Sequence, residues 1–181
     1  MKIIMKTISM AFLSSISLLL GQLDHIIISE VVLTPSDGEY VEINNPTGVA
    51  VDLSNYYLTD ATDISSNKFY YNLPSGENFW SESSSDFFCR FPSGYTIQAG
   101  SSLKISLRSN NLYQNTYGDT ADLALDDSML SVLEGTNTKG NAGLPKLSNS
   151  SEPLILFYWD GSSEVIKDVD YLMWGNNSFA I

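Results

Sequence analysis

The amino-acid sequence predicts an all-β fold of the sandwich or barrel type that carries one inserted amphipathic helix. Apolar residues alternate with polar ones along several short segments, turn-forming residues separate these segments, and one segment follows helical spacing instead. With one cysteine, Cys89, no disulfide within the chain can form. The stability of the fold therefore has to come from a hydrophobic core, for which a chain of 181 residues is long enough.

Residues 1–22 are expected to be a signal peptide rather than a part of this fold. Lys2 and Lys6 give a basic start, the segment 8–20 is apolar or small, and Gly21-Gln22 stands where cleavage would fall. Serines interrupt the apolar segment, which is too short for a comfortable membrane span of about 20 residues. The chain is therefore expected to be secreted or displayed at the cell surface, with no membrane span after cleavage. An uncleaved membrane anchor is the alternative.

The charge of the chain argues against a nucleic-acid partner. It carries 21 acidic and 9 basic residues, and loss of the leader would leave 7 basic residues and a net charge of −14. A phosphate backbone would be repelled by most of such a surface. The acidity is explained most simply by solubility, and cation binding is the more specific interpretation.

Strand periodicity is clearest in two segments. Within 103–108, Leu103, Ile105 and Leu107 are expected to face a core, and the intervening Lys104, Ser106 and Arg108 are expected to face water. Residues 40–43 alternate in the same way, with Val41 and Ile43 inward.

A hairpin is predicted near the end of the chain. The segment Leu154–Trp159 is apolar on both faces, which is typical of a central strand covered on both sides. Asp160-Gly161 then turns the chain into a second strand that includes Val169-Asp170-Tyr171.

One amphipathic helix is predicted over residues 121–133. Apolar residues recur there at i, i+3, i+4, i+8, i+11 and i+12, with aspartates elsewhere around the helix. Asp119 or Thr120 is the expected N-cap and Gly135 the expected end.

Several segments in order resemble the lamin-tail family, whose fold is an immunoglobulin-like β-sandwich. The segments that carry the resemblance are Ile26–Leu33, Glu39–Pro46, Asp52–Asp60, Phe91–Gly100, Leu147–Asn149, Asp160-Gly161 and Val169–Tyr171. The resemblance covers residues 23–175, with insertions at about 62–90 and 109–143. Asn55 and Tyr56 stand where the family commonly has glycine and tryptophan, and Ala99 where it often has proline. Residues 176–181 follow the last expected strand directly, and truncation of a longer exported protein is one interpretation of this end.

The resemblance implies a non-catalytic module. Lamin tails are interaction domains, and similar domains in secreted bacterial proteins accompany nucleases, phosphatases and other surface enzymes. The expected function is therefore binding, anchoring or spacing at the cell surface, with a protein or a cell-surface glycan as partner. The alternatives are an accessory domain of a longer secreted hydrolase and a calcium-stabilised adhesion module. The oligomeric state stays open.

Catalytic residues are not predicted within the chain. A hydrolase triad needs a base, and the sole histidine, His25, is expected in a buried first strand. Cys89 lies among aromatic residues and is expected to be a small buried apolar residue. Glu30, Glu39 and Glu42 could pair for glycoside chemistry, but their more ordinary role is to cover strand faces and bond turn amides.

No cofactor is expected, and calcium is the one metal with candidate ligands. The acidic residues that could supply oxygen atoms occur in three pairs: Asp60 and Asp63 in a loop, Asp119 and Asp122 at the predicted helix, and Asp168 and Asp170 on one strand face. None of them has the spacing of a dedicated calcium loop, and turn and cap roles are the simpler interpretation.

The candidate ligand-binding residues are aromatic. Tyr70, Tyr71, Phe79 and Trp80 are concentrated in the serine-rich insertion, where exposed rings would stack on sugars or anchor a protein partner. The alternative is that they cover the open end of the sandwich.

Overall fold

A computed structural model describes residues 23–175, so the predicted signal peptide and the segment 176–181 lie outside the described residues. The strands are β1 (Ile27–Val32), β2 (Tyr40–Asn44), β3 (Val51–Asp52), β4 (Tyr56–Thr59), β5 (Phe88–Arg90), β6 (Thr96–Ile97), β7 (Ser102–Ser106), β8 (Leu123–Ala124), β9 (Leu130–Ser131), β10 (Glu152–Tyr158) and β11 (Lys167–Trp174). One α-helix, α1 (Asn110–Tyr117), and two 3-10 helices, Ser36–Gly38 and Tyr70–Ser75, complete the described elements. None of these helices has the length and apolar character that a membrane crossing requires.

Two sheets form the sandwich. The first has the strand order β1-β2-β7-β8 and the second the order β11-β10-β4-β5-β9, while β3 and β6 form a separate two-stranded pair. Pairing is antiparallel except between β7 and β8. The prediction of an immunoglobulin-like β-sandwich is confirmed.

The main core lies between the two sheets. Val41, Ile43 and Ile105 contribute from the first sheet, and Leu58 and Leu156 from the second, and all five are fully buried. Cys89 is also in this core, and its Sγ lies 3.3 Å from the carbonyl oxygen of Leu58. It is the small buried residue that the sequence predicts.

Strand β10 is covered on both faces, as its continuous apolar sequence predicts. Leu154 and Leu156 enter the main core, whereas Ile155 and Phe157 enter a second core on the outer face of the same sheet. Phe157 stacks on Tyr57 of β4 with ring centroids 4.9 Å apart. The predicted hairpin of β10 and β11 is confirmed by their antiparallel register.

The helix lies elsewhere than predicted. Helix α1 spans Asn110–Tyr117, where Ser109 caps it by accepting from Leu112 N–H (3.2 Å) and Gly118 ends it in a left-handed conformation (φ 77°). The predicted helix over 121–133 is wrong, and so are its caps at Asp119 or Thr120 and at Gly135.

Two short strands and turns replace that predicted helix. Leu123 and Ala124 add to the free edge of β7, and Met129 N–H donates to Ala124 O (3.0 Å) across a turn. The periodic apolar residues are mostly buried, but sheet edges and not helical bonds satisfy their backbone. Tertiary pairing thus overrides the local helical pattern.

The predicted alternation of strand residues is confirmed for the inward side chains but wrong for some of the outward ones. Leu103, Ile105 and Leu107 are buried as predicted, but Ser106 and Arg108, expected to face water, are buried too. Tyr40 is buried because α1 covers the outer face of the first sheet, where Tyr40 meets Tyr113 and Tyr117 edge to face.

The double coverage of β10 yields a stability prediction. Leu154 and Leu172 are direct cross-strand partners, but Leu154 is fully buried and Leu172 is 39% exposed. We expect Leu154→Ala to lower the free energy of unfolding by about 2–5 kcal/mol, because it leaves a cavity in the core. The matched control, Leu172→Ala, should cost about 1 kcal/mol or less. Urea unfolding curves measure both free energies. Equal losses would contradict the assignment of β11 as the edge strand of its sheet.

Candidate functional site

The structure buries three of the four aromatic candidates. Tyr70, Phe79 and Trp80 are 6%, 3% and 7% exposed and pack in the second core with Phe88, whereas Tyr71 is 40% exposed. The insertion thus covers the outer face of the second sheet. Of these four residues, Tyr71 alone stays substantially exposed, and its ring stacks on Phe69.

The aspartates that the sequence predicts as calcium ligands each accept hydrogen bonds from different protein groups. Asp63 accepts from Ser65 and Ser66 in its own turn, Asp119 accepts from Thr120 N–H, and Asp122 Oδ2 accepts from Lys104 N–H (2.7 Å).

Asp60 is 3% exposed, and its Oδ1 accepts from Phe87 N–H (2.7 Å). Within residues 23–175, no three His, Cys, Asp or Glu side chains lie close enough together to hold a metal ion.

Asp168 and Asp170 do not share a strand face. The register shifts between Leu156 and Phe157, so that Val169 is an extra residue between Asp168, opposite Phe157, and Asp170, opposite Leu156. This bulge turns the two carboxylates apart. Asp168 Oδ1 accepts from the Tyr70 hydroxyl (3.0 Å), whereas Asp170 Oδ2 accepts from Ile28 N–H (2.7 Å), where β1 lies against β11.

Catalytic groups do not meet in the described residues. His25 is exposed, not buried as predicted, because it precedes β1, and its Nδ1 lies 2.8 Å from Asp24 Oδ1. The Cys89 thiol is fully buried, and burial raises its pKa well above the usual value. No imidazole is therefore placed to activate this thiol.

The carboxyls with a raised pKa face the interior. Burial raises the pKa of Asp60 well above its usual range, raises that of Glu39, and raises that of Glu152 to about 7. A raised carboxyl pKa in a cleft often marks an acid catalyst, but none of these three residues lines a described cleft. Their pKa values reflect structural burial.

Arg108 and Lys146 hold loops together from within. The buried Arg108 guanidinium donates to the carbonyl oxygens of Ser36 (2.7 Å), Ala142 (2.9 Å) and Gly143 (3.0 Å). Lys146 N–H donates to Glu39 Oε2 (2.8 Å), and its Nζ donates to Ser84 O (2.8 Å). These charges therefore stabilise the fold and are not available to a ligand.

Two open clefts flank the start of β11. The first, of about 450 Å³, is lined by His25, Tyr56, Tyr158, Lys167, Asp168 and Val169. It lies at the mouth between the sheets, because His25 precedes β1 and the other residues belong to the second sheet. We call it the mouth cleft. The second, of about 350 Å³, lies on the outer face and is lined by Tyr70, Tyr71, Val165, Ile166 and Asp168.

Sequence reasoning missed most of the mouth cleft. From the sequence, Tyr56 is predicted only as a departure from the family pattern, and Tyr158 only as part of an apolar strand. The polar tip of Tyr158, at the end of that strand, was the available signal. Lys167 comes from another strand, so its position beside Tyr158 follows from the hairpin register.

The two packed sheets define an immunoglobulin-like β-sandwich domain, which carries these two clefts beside β11. A family model described as Lamin Tail Domain matches residues 22–172, and the chain belongs to this family, as its motifs predict. Lamin tail domains are a non-catalytic family. No curated protein matches the chain.

One similar solved structure is a DUF4876 family protein from Bacteroides thetaiotaomicron. It is 16% identical, with a TM-score of 0.49, over 85% of this chain and 54% of that chain. This chain thus spans about half the length of that protein.

The buried carboxyls yield a prediction on pH. Burial raises the pKa of Glu152 from 4.5 to about 7, which outweighs the opposite effect of its bond from Ser148 N–H. The folded protein therefore holds this proton more tightly than the unfolded chain, and the resulting stabilisation, complete below pH 4.5, is lost as the pH rises to about 7. We expect Glu152→Gln to reduce the fall in melting temperature across this window.

The control for this experiment is Glu164→Gln, which alters an exposed carboxyl in the β10–β11 turn. It should leave the pH profile of the melting temperature unchanged. A Glu152→Gln profile that coincides with the parent profile would contradict the assignment.

The separate roles of the aspartates yield a prediction on calcium. A ligand that binds the native state must raise the melting temperature. We expect 5 mM calcium, about what a weak extracellular site would need, to leave the melting temperature unchanged relative to 5 mM magnesium. A calcium-specific rise that Asp63→Asn removes would show that a site exists in this loop.

Proposed function

We propose that this chain is an exported, non-catalytic lamin-tail domain that serves binding or anchoring at the cell surface. One observation carries the proposal: aromatic rings and polar groups near β11 meet in an open cleft, and the described residues that line it include no nucleophile with a base. Such a cleft, with several polar groups on an aromatic wall, is suited to recognition. The family assignment supports this interpretation, since lamin tail domains are non-catalytic.

The chemistry of the mouth cleft argues against hydrolysis. Glycoside hydrolysis needs two carboxyls about 5 to 10 Å apart across the substrate, and among residues 23–175 Asp168 is the one acidic residue that lines this cleft. His25 also lines it, but the lining includes no serine, threonine or cysteine that its imidazole could activate. The groups present can bind and orient a ligand.

Export to the cell surface is supported by the first 22 residues and by the charge. The basic start and apolar segment have the pattern of a signal peptide. The acidic chain that would remain after cleavage favours solubility outside the cell.

The test of this proposal has two parts, both on the full chain with a C-terminal tag in a bacterial host. First, the chain should reach the periplasm or the medium, and N-terminal sequencing should begin near residue 22. The variant Leu18→Arg, which breaks the apolar segment, should keep the full-length chain in the cytoplasm. Retention of the parent chain in the cytoplasm would contradict export.

The second part measures binding. The exported chain should sediment with isolated bacterial envelopes in a saturable manner, and a heat-unfolded sample should not. The absence of saturable sedimentation would contradict the anchoring function.

A further inference from the structure

We propose that the mouth cleft is a carbohydrate-binding site for a neutral oligosaccharide. Tyr56 and Tyr158 form its apolar wall, and His25, Lys167 and the two tyrosine hydroxyls supply its polar contacts. The inference rests on the proposed binding function and assigns it a site and a class of ligand.

The register of three strands builds the wall. Tyr56 on β4 lies directly opposite Tyr158 on β10, and Tyr158 lies directly opposite Lys167 on β11. Opposite residues in antiparallel strands project to the same face. The two rings meet edge to face, with centroids 5.4 Å apart and planes at 74°. The sheet thus presents two phenol rings and one ammonium group side by side.

The polar groups of the cleft are uncommitted. The hydroxyls of Tyr56 and Tyr158 and the Lys167 ammonium form no hydrogen bond with any residue between 23 and 175. His25 uses Nδ1 for Asp24, which leaves Nε2 without a partner there. Burial and the neighbouring Tyr158 raise the pKa of Tyr56, so its hydroxyl stays protonated and can both donate and accept.

Asp168 also lines the cleft, but the bulge at Val169 directs its side chain to the outer face, opposite Phe157. Asp168 Oδ1 accepts from Tyr70, which fixes the side chain, and Oδ2 has no hydrogen-bond partner among the described residues. Bulges often re-aim a side chain next to a functional site. The cleft itself therefore offers a donor from lysine and two tyrosine hydroxyls that can each donate and accept.

This combination selects a neutral hydroxylated ligand. The lining has no excess of positive charge to attract a polyanion, and the acidic chain, with a net charge of −12, would repel one. A purely apolar ligand would cover these polar groups without replacing their bonds to water. A sugar ring has an apolar C–H face for the tyrosines and hydroxyls for the polar groups. The cleft of about 450 Å³ is within the range of small-ligand sites, about 300–1,000 Å³.

The test is calorimetric titration of the exported chain. The probes are neutral hexasaccharides of glucose, N-acetylglucosamine, xylose and mannose, with hexagalacturonate as the charged comparison. We expect at least one neutral probe to bind and to be preferred over hexagalacturonate. Tyr158→Ala should weaken that binding about tenfold, the loss expected for one aromatic contact.

Two further variants separate binding from folding. Tyr158→Phe keeps the ring and its packing but removes the hydroxyl, and Lys167→Ala alters an exposed residue. Each should weaken binding severalfold at an unchanged melting temperature. The matched control, Tyr171→Ala, removes a tyrosine that is 37% exposed on β11 but does not line the cleft. It should bind as the parent does.

The inference is overturned if no neutral probe binds, if hexagalacturonate binds more tightly, or if the cleft variants bind like the parent. Envelope sedimentation distinguishes this failure from failure of the proposed function. Saturable sedimentation of a parent chain that binds no neutral probe would retain the anchoring function and reject this cleft. A parent chain that neither binds a neutral probe nor sediments with envelopes would reject the glycan site and the anchoring function together.

Discussion

The burial of β10 on both faces is the constraint on which the rest of this structure depends. Leu154 and Leu156 fill the core between the sheets, so Ile155 and Phe157 necessarily project from the opposite face. An uncovered outer face would expose a large apolar patch. The long aromatic segment that contains Tyr70, Phe79 and Trp80 covers it, which explains why a domain without disulfides retains this segment as ordered structure.

Buried charged side chains, and not disulfides, hold the long loops together. Arg108 donates to three backbone carbonyl oxygens in two separate loops, and Glu39 accepts from the backbone of Lys146. The carbonyl groups of such loops would otherwise be buried without partners. Removing these charges from water has a cost, which is visible in the raised pKa of Glu39 and of Asp60. Perturbed pKa values thus mark the interior of this domain and not a catalytic centre.

The mouth cleft forms where the coverage of β10 ends. Tyr158 is the first β10 residue beyond the fully buried part of the strand, and it lies beside Tyr56 at the opening between the sheets. The two tyrosines place an apolar body with a polar tip at the edge of the core. Lys167, on the neighbouring strand, lies directly opposite Tyr158 at the same position. The proposed site therefore forms because the burial of β10 stops at Tyr158, at the opening between the sheets.

The sequence by itself determined the all-β class of fold, several residues of the main core and the hairpin, because period-two alternation and turn residues are local properties of the chain. It predicted the burial of Val41, Ile43 and Cys89 and the double coverage of β10 correctly. Only the tertiary structure decided where the helix lies, that Arg108 is buried, and that Asp168 and Asp170 diverge. These features depend on a free sheet edge, on loops that close over a side chain, and on a one-residue bulge. Each is set by residues far apart in the chain, so no local pattern could reveal them.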